Sequence, residues 1–173
     1  MTVRAVPLAD INNGDEAQFV AVLGDVFENS PWLAERAVGQ RPYASRDALI
    51  ANLVEVMNTA SEGEKLKLIR AHPDLAGKAA RAGDLTDSST REQASAGLDQ
   101  LTDAEFALFN RLNADYQSRF GFPFIVAVRD HTKASILTAF VTRLHNEPAA
   151  EIAEAMRNIA RIVSLRIIDS VTE

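Results

Sequence analysis

Apolar residues recur along this chain with a helical period, in blocks bounded by capping residues and breakers. Over residues 15–28, Phe19, Val22, Leu23, Val26 and Phe27 fall on one stripe. Ser30-Pro31 then offers an N-cap and a proline at the first helical position, ahead of Trp32 and Leu33. Ser45 precedes Leu49, Ile50, Leu53, Val54 and Met57. Ser61 and Glu64 have capping-box spacing before Leu66, Leu68 and Ile69, and this helix should stop near Ala71, because the residue before Pro73 is pushed out of helical geometry.

Residues 77–87 read as a short helix or loop, and Ser88-Ser89 precede a fresh helical segment. A second capping box, Thr102 with Glu105, opens a helix carrying Phe106, Phe109, Leu112, Tyr116 and Phe120, closed by Gly121. Asp130 or Thr132 starts a helix bearing Ile136, Leu137, Phe140, Val141 and Leu144. Glu147-Pro148 opens the last one, with Ile152, Met156, Ile159, Val163 and Ile167 on its stripe. Only Phe122-Pro123-Phe124-Ile125-Val126-Ala127-Val128 has β-like composition. A lone run has no strand to pair with, so the expectation is a buried extended loop. The pattern predicts an all-α fold of seven to nine helices, and 173 residues suit a single compact domain, 1–173.

Composition narrows the chemistry. Apolar residues make up 47% of the chain but aromatics only 6%, which favours helices packed through small aliphatic side chains. With 18 Lys+Arg against 24 Asp+Glu, the net charge of −6 gives no basic footprint for nucleic acid. A small anion needs only one or two well-placed cations and stays admissible. There is no cysteine, so disulfides, thiolate nucleophiles and Cys-ligated metals are excluded. The first residues lack a signal-peptide apolar run, the last four carry no peroxisomal address, and no stretch reaches membrane-spanning length. The expectation is a cytoplasmic protein with no nucleic-acid or membrane partner.

Three histidines are available for proton transfer near neutral pH. His131 and His145, in polar context at helix edges, read as surface residues. His72 lies between an ended helix and the rigid Pro73, where it would either cap the last carbonyls or act on a ligand. His72 with Asp74 makes too few ligands for a metal, and no third clustered ligand accompanies them, so no metal site is expected. Ser89 and Glu92 have formal capping-box spacing, yet Glu92 beside Gln93 also offers the acceptors and amide that a polar heterocycle requires. Arg166, in the greasy stretch Ile162-Val163-Ser164-Leu165-Arg166-Ile167-Ile168-Asp169, is either snorkelling or paired indoors, with Asp169 at i+3 as one structural partner.

Four ordered motifs then resemble one family. They are Ala71-His72-Pro73-Asp74-Leu75-Ala76-Gly77-Lys78, Ser89-x-x-Glu92-Gln93 leading to Ala96-Gly97-Leu98, Phe120-Gly121-Phe122-Pro123-Phe124-Ile125, and the closing Ile159 to Ile167 helix. Phe27-Glu28-Asn29-Ser30-Pro31-Trp32 matches as well. Together they look like the 2-oxo-4-hydroxy-4-carboxy-5-ureidoimidazoline (OHCU) decarboxylases of urate breakdown, across residues 19–171. Where Ser164 stands, that family often carries a basic residue. The resemblance implies an all-α fold, often homodimeric, that forms (S)-allantoin and carbon dioxide without a cofactor. It implies His72 as the catalytic histidine, with Glu92 acting beside it. Gln93 with Glu92 would bind ring and ureido groups, Ser89 and Pro73 would line the pocket, and Arg166 would bind substrate. Backbone groups of Phe124 and Ile125 would contact it. Two rival readings are a non-enzymatic helical interaction module and a cofactor-free hydrolase of a related ureide.

Overall fold

The computed structural model describes residues 4–173, which separate into two compact units: the chain up to Ala71 with Ala160–Glu173, and His72–Ile159. Among these residues the fold is all-α, with ten α-helices against the seven to nine expected. The addition is Leu8–Asn13, whose six residues are too few to show a period in sequence, while Lys78–Ala82 is the short helix that residues 77–87 left open. No helix among the described residues is long and apolar enough to cross a membrane.

The first unit opens with β1 (Val6–Pro7) and α1 (Leu8–Asn13). It continues through α2 (Glu16–Leu23), α3 (Trp32–Ala37), α4 (Arg46–Asn58) and α5 (Glu62–Arg70). Asp15 and Ser61 start α2 and α5 with complete capping boxes, and Ser45 caps α4 through the Ala48 N–H. At Ser30 the structure departs from the expected cap: Pro31 is the N-cap of α3, and the Ser30 hydroxyl instead donates to the Glu28 carbonyl at 2.9 Å. Phe19, Leu23, Leu33, Leu49, Leu53 and Met57 are buried where their periodic stripe places them. One parallel pairing was not foreseen: β1 runs beside β2 (Val171–Thr172), with Val6 opposite Val171. Two residues per strand are too short to leave a sequence signal.

The second unit holds α6 (Lys78–Ala82), α7 (Asp87–Ser95), α8 (Asp103–Phe120) and α9 (Lys133–Arg143). It also holds the first part of α10 (Pro148–Ser170). Thr102 and Glu105 cap α8 as expected, and Gly121 ends it at φ 75°, a left-handed value that a side chain would strain. Thr132, rather than Asp130, caps α9. The run from Phe122 to Val128 is buried throughout and joins no strand, as its isolation predicted.

Side chains supply what this run lacks in ladder partners. Arg143 Nη1 donates to the Ile125 carbonyl at 2.6 Å, and the Ala127 N–H donates to Asn158 Oδ1 at 3.0 Å. Arg143 is itself fixed by Glu151, Nε to Oε1 at 2.7 Å, and its guanidinium lies 4.3 Å over the Phe124 ring. The Tyr116 hydroxyl also donates to Glu151 Oε1, at 2.5 Å, and Asn146 Nδ2 donates to Oε2 at 2.9 Å. Glu151 is fully buried, so each of these donors offsets the desolvation of its charge.

Burial first, and then the bond to Glu151, push the Tyr116 hydroxyl well above its ordinary pKa. Burial pushes that of Tyr43 up to about 12. Both phenols are therefore harder to ionise in the folded chain than in the unfolded one. Their contribution is complete below the unfolded value of about 10 and is lost as pH rises toward the folded value. Stability followed by urea denaturation should fall steeply between pH 10 and 12, and Tyr43→Phe should make that fall shallower. An unchanged slope in the variant would reject this account.

Candidate active site

His72 directly follows Ala71, the C-cap of α5, and is 9% exposed. The five residues after it form neither helix nor strand, and Ala76 holds a left-handed φ of 50°. Such a conformation costs an alanine on the order of 1 kcal/mol, so neighbouring contacts must impose it. The Ala76 N–H donates to Gln93 Oε1 at 2.9 Å, and Gln93 Nε2 donates to the Asp74 carbonyl at 3.3 Å. Asn113 Nδ2 donates to the Leu75 carbonyl at 2.8 Å, and Gln117 Nε2 to Asp74 Oδ1 at 2.8 Å. Amide side chains from α7 and α8 thus tie down the stretch behind His72. Gly77 closes it: a Cβ there would lie 3.0 Å from that of Asp74.

Helix α7 begins three residues before the expected start. Thr86 is its N-cap, accepting from the Ser89 N–H at 3.3 Å, so Ser89 lies inside the first turn and is not a cap. That correction removes the capping-box reading of Ser89 and Glu92. Spaced at i, i+3 and i+4, Ser89, Glu92 and Gln93 share one face of α7. Ser89 and Gln93 are each 5% exposed and Glu92 is half-buried. This helix packs against the 3-10 turn Val128–Asp130, which begins at the last residue of the extended run. His72, Pro73, Ser89, Glu92, Gln93, Phe124 and Ile125 accordingly all belong to the second unit.

Two of these residues are more committed than the sequence suggested. The Gln93 amide is engaged at both atoms by backbone, although its oxygen keeps a second lone pair and its nitrogen a second hydrogen. The Ile125 carbonyl, expected to be free because no sheet recruits it, is taken by Arg143. Gln93 also borders a cavity of about 240 Å³ with Ala76, Thr90, Arg81, Asp99 and Phe106; neither His72 nor Glu92 lines it. No group of three or more His, Asp or Glu side chains among the described residues is placed to hold a metal ion.

Arg166 belongs to the first unit. It is 6% exposed and meets Glu28, itself 2% exposed, with Nη1 and Oε2 2.9 Å apart. Sequence reasoning offered Asp169 and missed Glu28, which lies more than a hundred residues away and carries no spacing signal. Of the other histidines, His145 Nδ1 meets the Val141 carbonyl of its own helix end at 2.9 Å, and His131 Nδ1 meets Ser135 Oγ at 2.9 Å.

The family profile described as OHCU decarboxylase matches residues 12–168. The chain belongs to the OHCU decarboxylase family. A 2-oxo-4-hydroxy-4-carboxy-5-ureidoimidazoline decarboxylase from Haloferax volcanii is 38% identical over 165 residues, covering 95% of this chain and 96% of that protein. One of the same name from Halalkalicoccus jeotgali is 39% identical over 158 residues, covering 91% and 88%. The crystal structure of an (S)-allantoin synthase superposes with a TM-score of 0.77 at 30% identity, covering 96% of this chain and 54% of that one.

If the amides of α7 and α8 hold the stretch behind His72, Gln93→Leu leaves the buried Ala76 N–H without its acceptor, at a cost of about 1–3 kcal/mol. Amide hydrogen exchange across residues 74–76 should accelerate in Gln93→Leu while that of α4 stays slow. Unchanged exchange at Ala76 would show that the loop is held by other means.

Proposed function

We propose that this chain converts 2-oxo-4-hydroxy-4-carboxy-5-ureidoimidazoline to (S)-allantoin and carbon dioxide, with His72 as the proton-transfer group and no cofactor. What carries the reading is membership of the family over nearly the whole chain. The substrate contains its own electron sink. The departing carboxylate sits on a carbon next to a ring C=N, so the electron pair of the breaking bond flows toward that nitrogen as carbon dioxide leaves. That nitrogen takes up a proton as it receives the pair; a second proton adds to one face of the carbon bearing the ureido group, and the neighbouring hydroxyl gives up its proton to become the ring carbonyl, so that one proton is consumed overall. The protein has to orient the ring, place charge and deliver a proton to one face.

His72 suits that delivery, because imidazole exchanges protons near neutral pH and the tied-down backbone behind it limits its excursions. Glu92, half-buried on α7 and adjacent to Gln93, orients either the imidazole or the substrate hydroxyl. The remaining lone pair and hydrogen of Gln93 serve the ring and ureido groups, with Ser89 and Pro73 beside them and the backbone of Phe124 and Ile125 contributing further polar contacts. Arg166 binds the anion. A guanidinium clamped on the leaving carboxylate would stabilise the ground state more than the charge-dispersed transition state, so contact with ring or ureido oxygens serves turnover better. We assign the reaction to the cytoplasm and the assembly to a homodimer.

Release of carbon dioxide from substrate labelled at the carboxyl carbon and freshly generated, above the spontaneous rate, tests the reading directly; a ureide hydrolase or an interaction module would release none of that label. His72→Asn keeps a hydrogen-bonding side chain but removes the exchangeable proton, so turnover should drop roughly 10²–10⁴-fold with little change in melting temperature. Near-normal allantoin formation by that variant would end the assignment of His72. Prolonged chelation and dialysis should leave the rate intact; a loss restored by zinc or manganese would overturn cofactor independence.

A further inference from the structure

We propose that Glu28 is a positioning residue for the decarboxylation: it fixes the fork of Arg166 in the orientation that receives substrate. The inference rests on the reaction proposed above and on Arg166 as its anion-binding group. Glu28 belongs to the Phe27-Glu28-Asn29-Ser30-Pro31-Trp32 motif, to which no role has been attached so far. Its carboxylate is buried, and so is the guanidinium it meets.

The arrangement is poorly explained as a source of stability. Taking a carboxylate and a guanidinium out of water carries a desolvation penalty that their attraction often fails to recover, and apolar side chains of similar size would serve a core as well or better. What such a pair does supply is orientation. Three oxygens gather around one corner of the fork: Glu28 Oε2 at 2.9 Å from Nη1, and the carbonyls of Val26 and Asp25 at 3.4 and 3.5 Å. Of these three the Glu28 contact is the shortest, so Glu28 sets the direction of that corner and the carbonyls limit its drift. A planar guanidinium gripped at one corner has its remaining N–H vectors fixed as well.

Glu28 stands on a frame that is itself held. Asn29, next to it, adopts a left-handed φ of 46°, a conformation asparagine tolerates better than most residues. The Ser30 N–H donates to the Phe27 carbonyl at 3.3 Å, and the Ser30 hydroxyl, 1% exposed, donates to the carbonyl of Glu28. Phe27 is fully buried. A tight turn, pinned on both sides, therefore delivers one carboxylate to one arginine. The motif reads as a mount for Arg166, and its acidic residue is the working part.

The test is a cycle of Glu28→Gln, Arg166→Lys and the double variant, with KM, kcat and melting temperature measured for each. Glu28→Gln keeps the shape and an acceptor oxygen but loses the charge; KM should rise about tenfold with kcat changed less than threefold. Arg166→Lys removes the planar fork and should raise KM at least as far. The double variant should then resemble Arg166→Lys alone, because no fork remains to be positioned. KM effects that multiply in the double variant, or a lowered melting temperature with unchanged KM in Glu28→Gln, would overturn the proposal. If Glu28→Gln fails to fold, Glu28→Asp retains the charge one methylene further back; KM raised severalfold supports the mount and KM unchanged refutes it. Normal KM in Arg166→Lys would instead remove Arg166 from substrate binding, and with it the role of Glu28. A wild-type chain that releases no carbon dioxide would reject the reaction itself.

Discussion

Backbone that is buried yet belongs to no helix or strand must find hydrogen-bond partners elsewhere, and much of the second unit is arranged around that requirement. Two such stretches occur there, the residues following His72 and the run from Phe122 to Ala127. Both are served by side chains: Gln93 and Asn113 for the first, Arg143 and Asn158 for the second. Each of those side chains is carried by a helix, so helices α7 to α10 double as scaffolding for segments that are not helical. Arg143 cannot enter the interior as a bare charge, and Glu151, Tyr116 and Asn146 follow from its presence. Irregular backbone is what gives a helical protein groups that can face a small polar ligand, and its upkeep accounts for most of the buried polar side chains of this unit.

The same economy governs Arg166 in the first unit, where burial calls for a carboxylate and the Phe27 to Trp32 motif supplies it. In each unit a residue named for chemistry has such support: the stretch behind His72 is held by Asn113 and Gln93, and Arg166 is met by Glu28. Gln93 stands in both classes, holding Asp74 and Ala76 while keeping hydrogen-bonding capacity in reserve. Changes at such positions will disturb folding and turnover together, which is why a KM-against-kcat comparison says more about them than activity alone.

Local signals made the helices readable. The boxes at Ser61 with Glu64 and Thr102 with Glu105, the stop before Pro73 and the glycine at 121 all lie within a few residues of what they control. The buried extended run was legible for a related reason, since its composition was unlike everything around it. Ser89 misled because its spacing to Glu92 imitates a cap while Thr86, three residues earlier, does the capping. His72 and Gln93 could be named as site candidates from their motifs, but the hydrogen bonds joining the Gln93 amide to the backbone behind His72 could not. The pairings of Arg166 with Glu28 and of Tyr116 with Glu151 span 138 and 35 positions, and neither leaves a periodic trace. Contacts of that kind are set by how helices pack, which no local window contains.

The Arg143 and Glu151 pair has a consequence for behaviour on warming. Hydration of ions is accompanied by a strongly negative entropy, so water's hold on a charged group weakens as temperature rises. The cost of keeping this guanidinium and carboxylate dry therefore shrinks in a hot solution, just where the gain from apolar burial levels off. One nitrogen of Arg143, Nη2, is buried with no hydrogen-bond partner among the described residues, and its share of that cost shrinks in the same way. A polar centre that looks like a burden at room temperature thus becomes a lighter one near the upper end of the protein's thermal range.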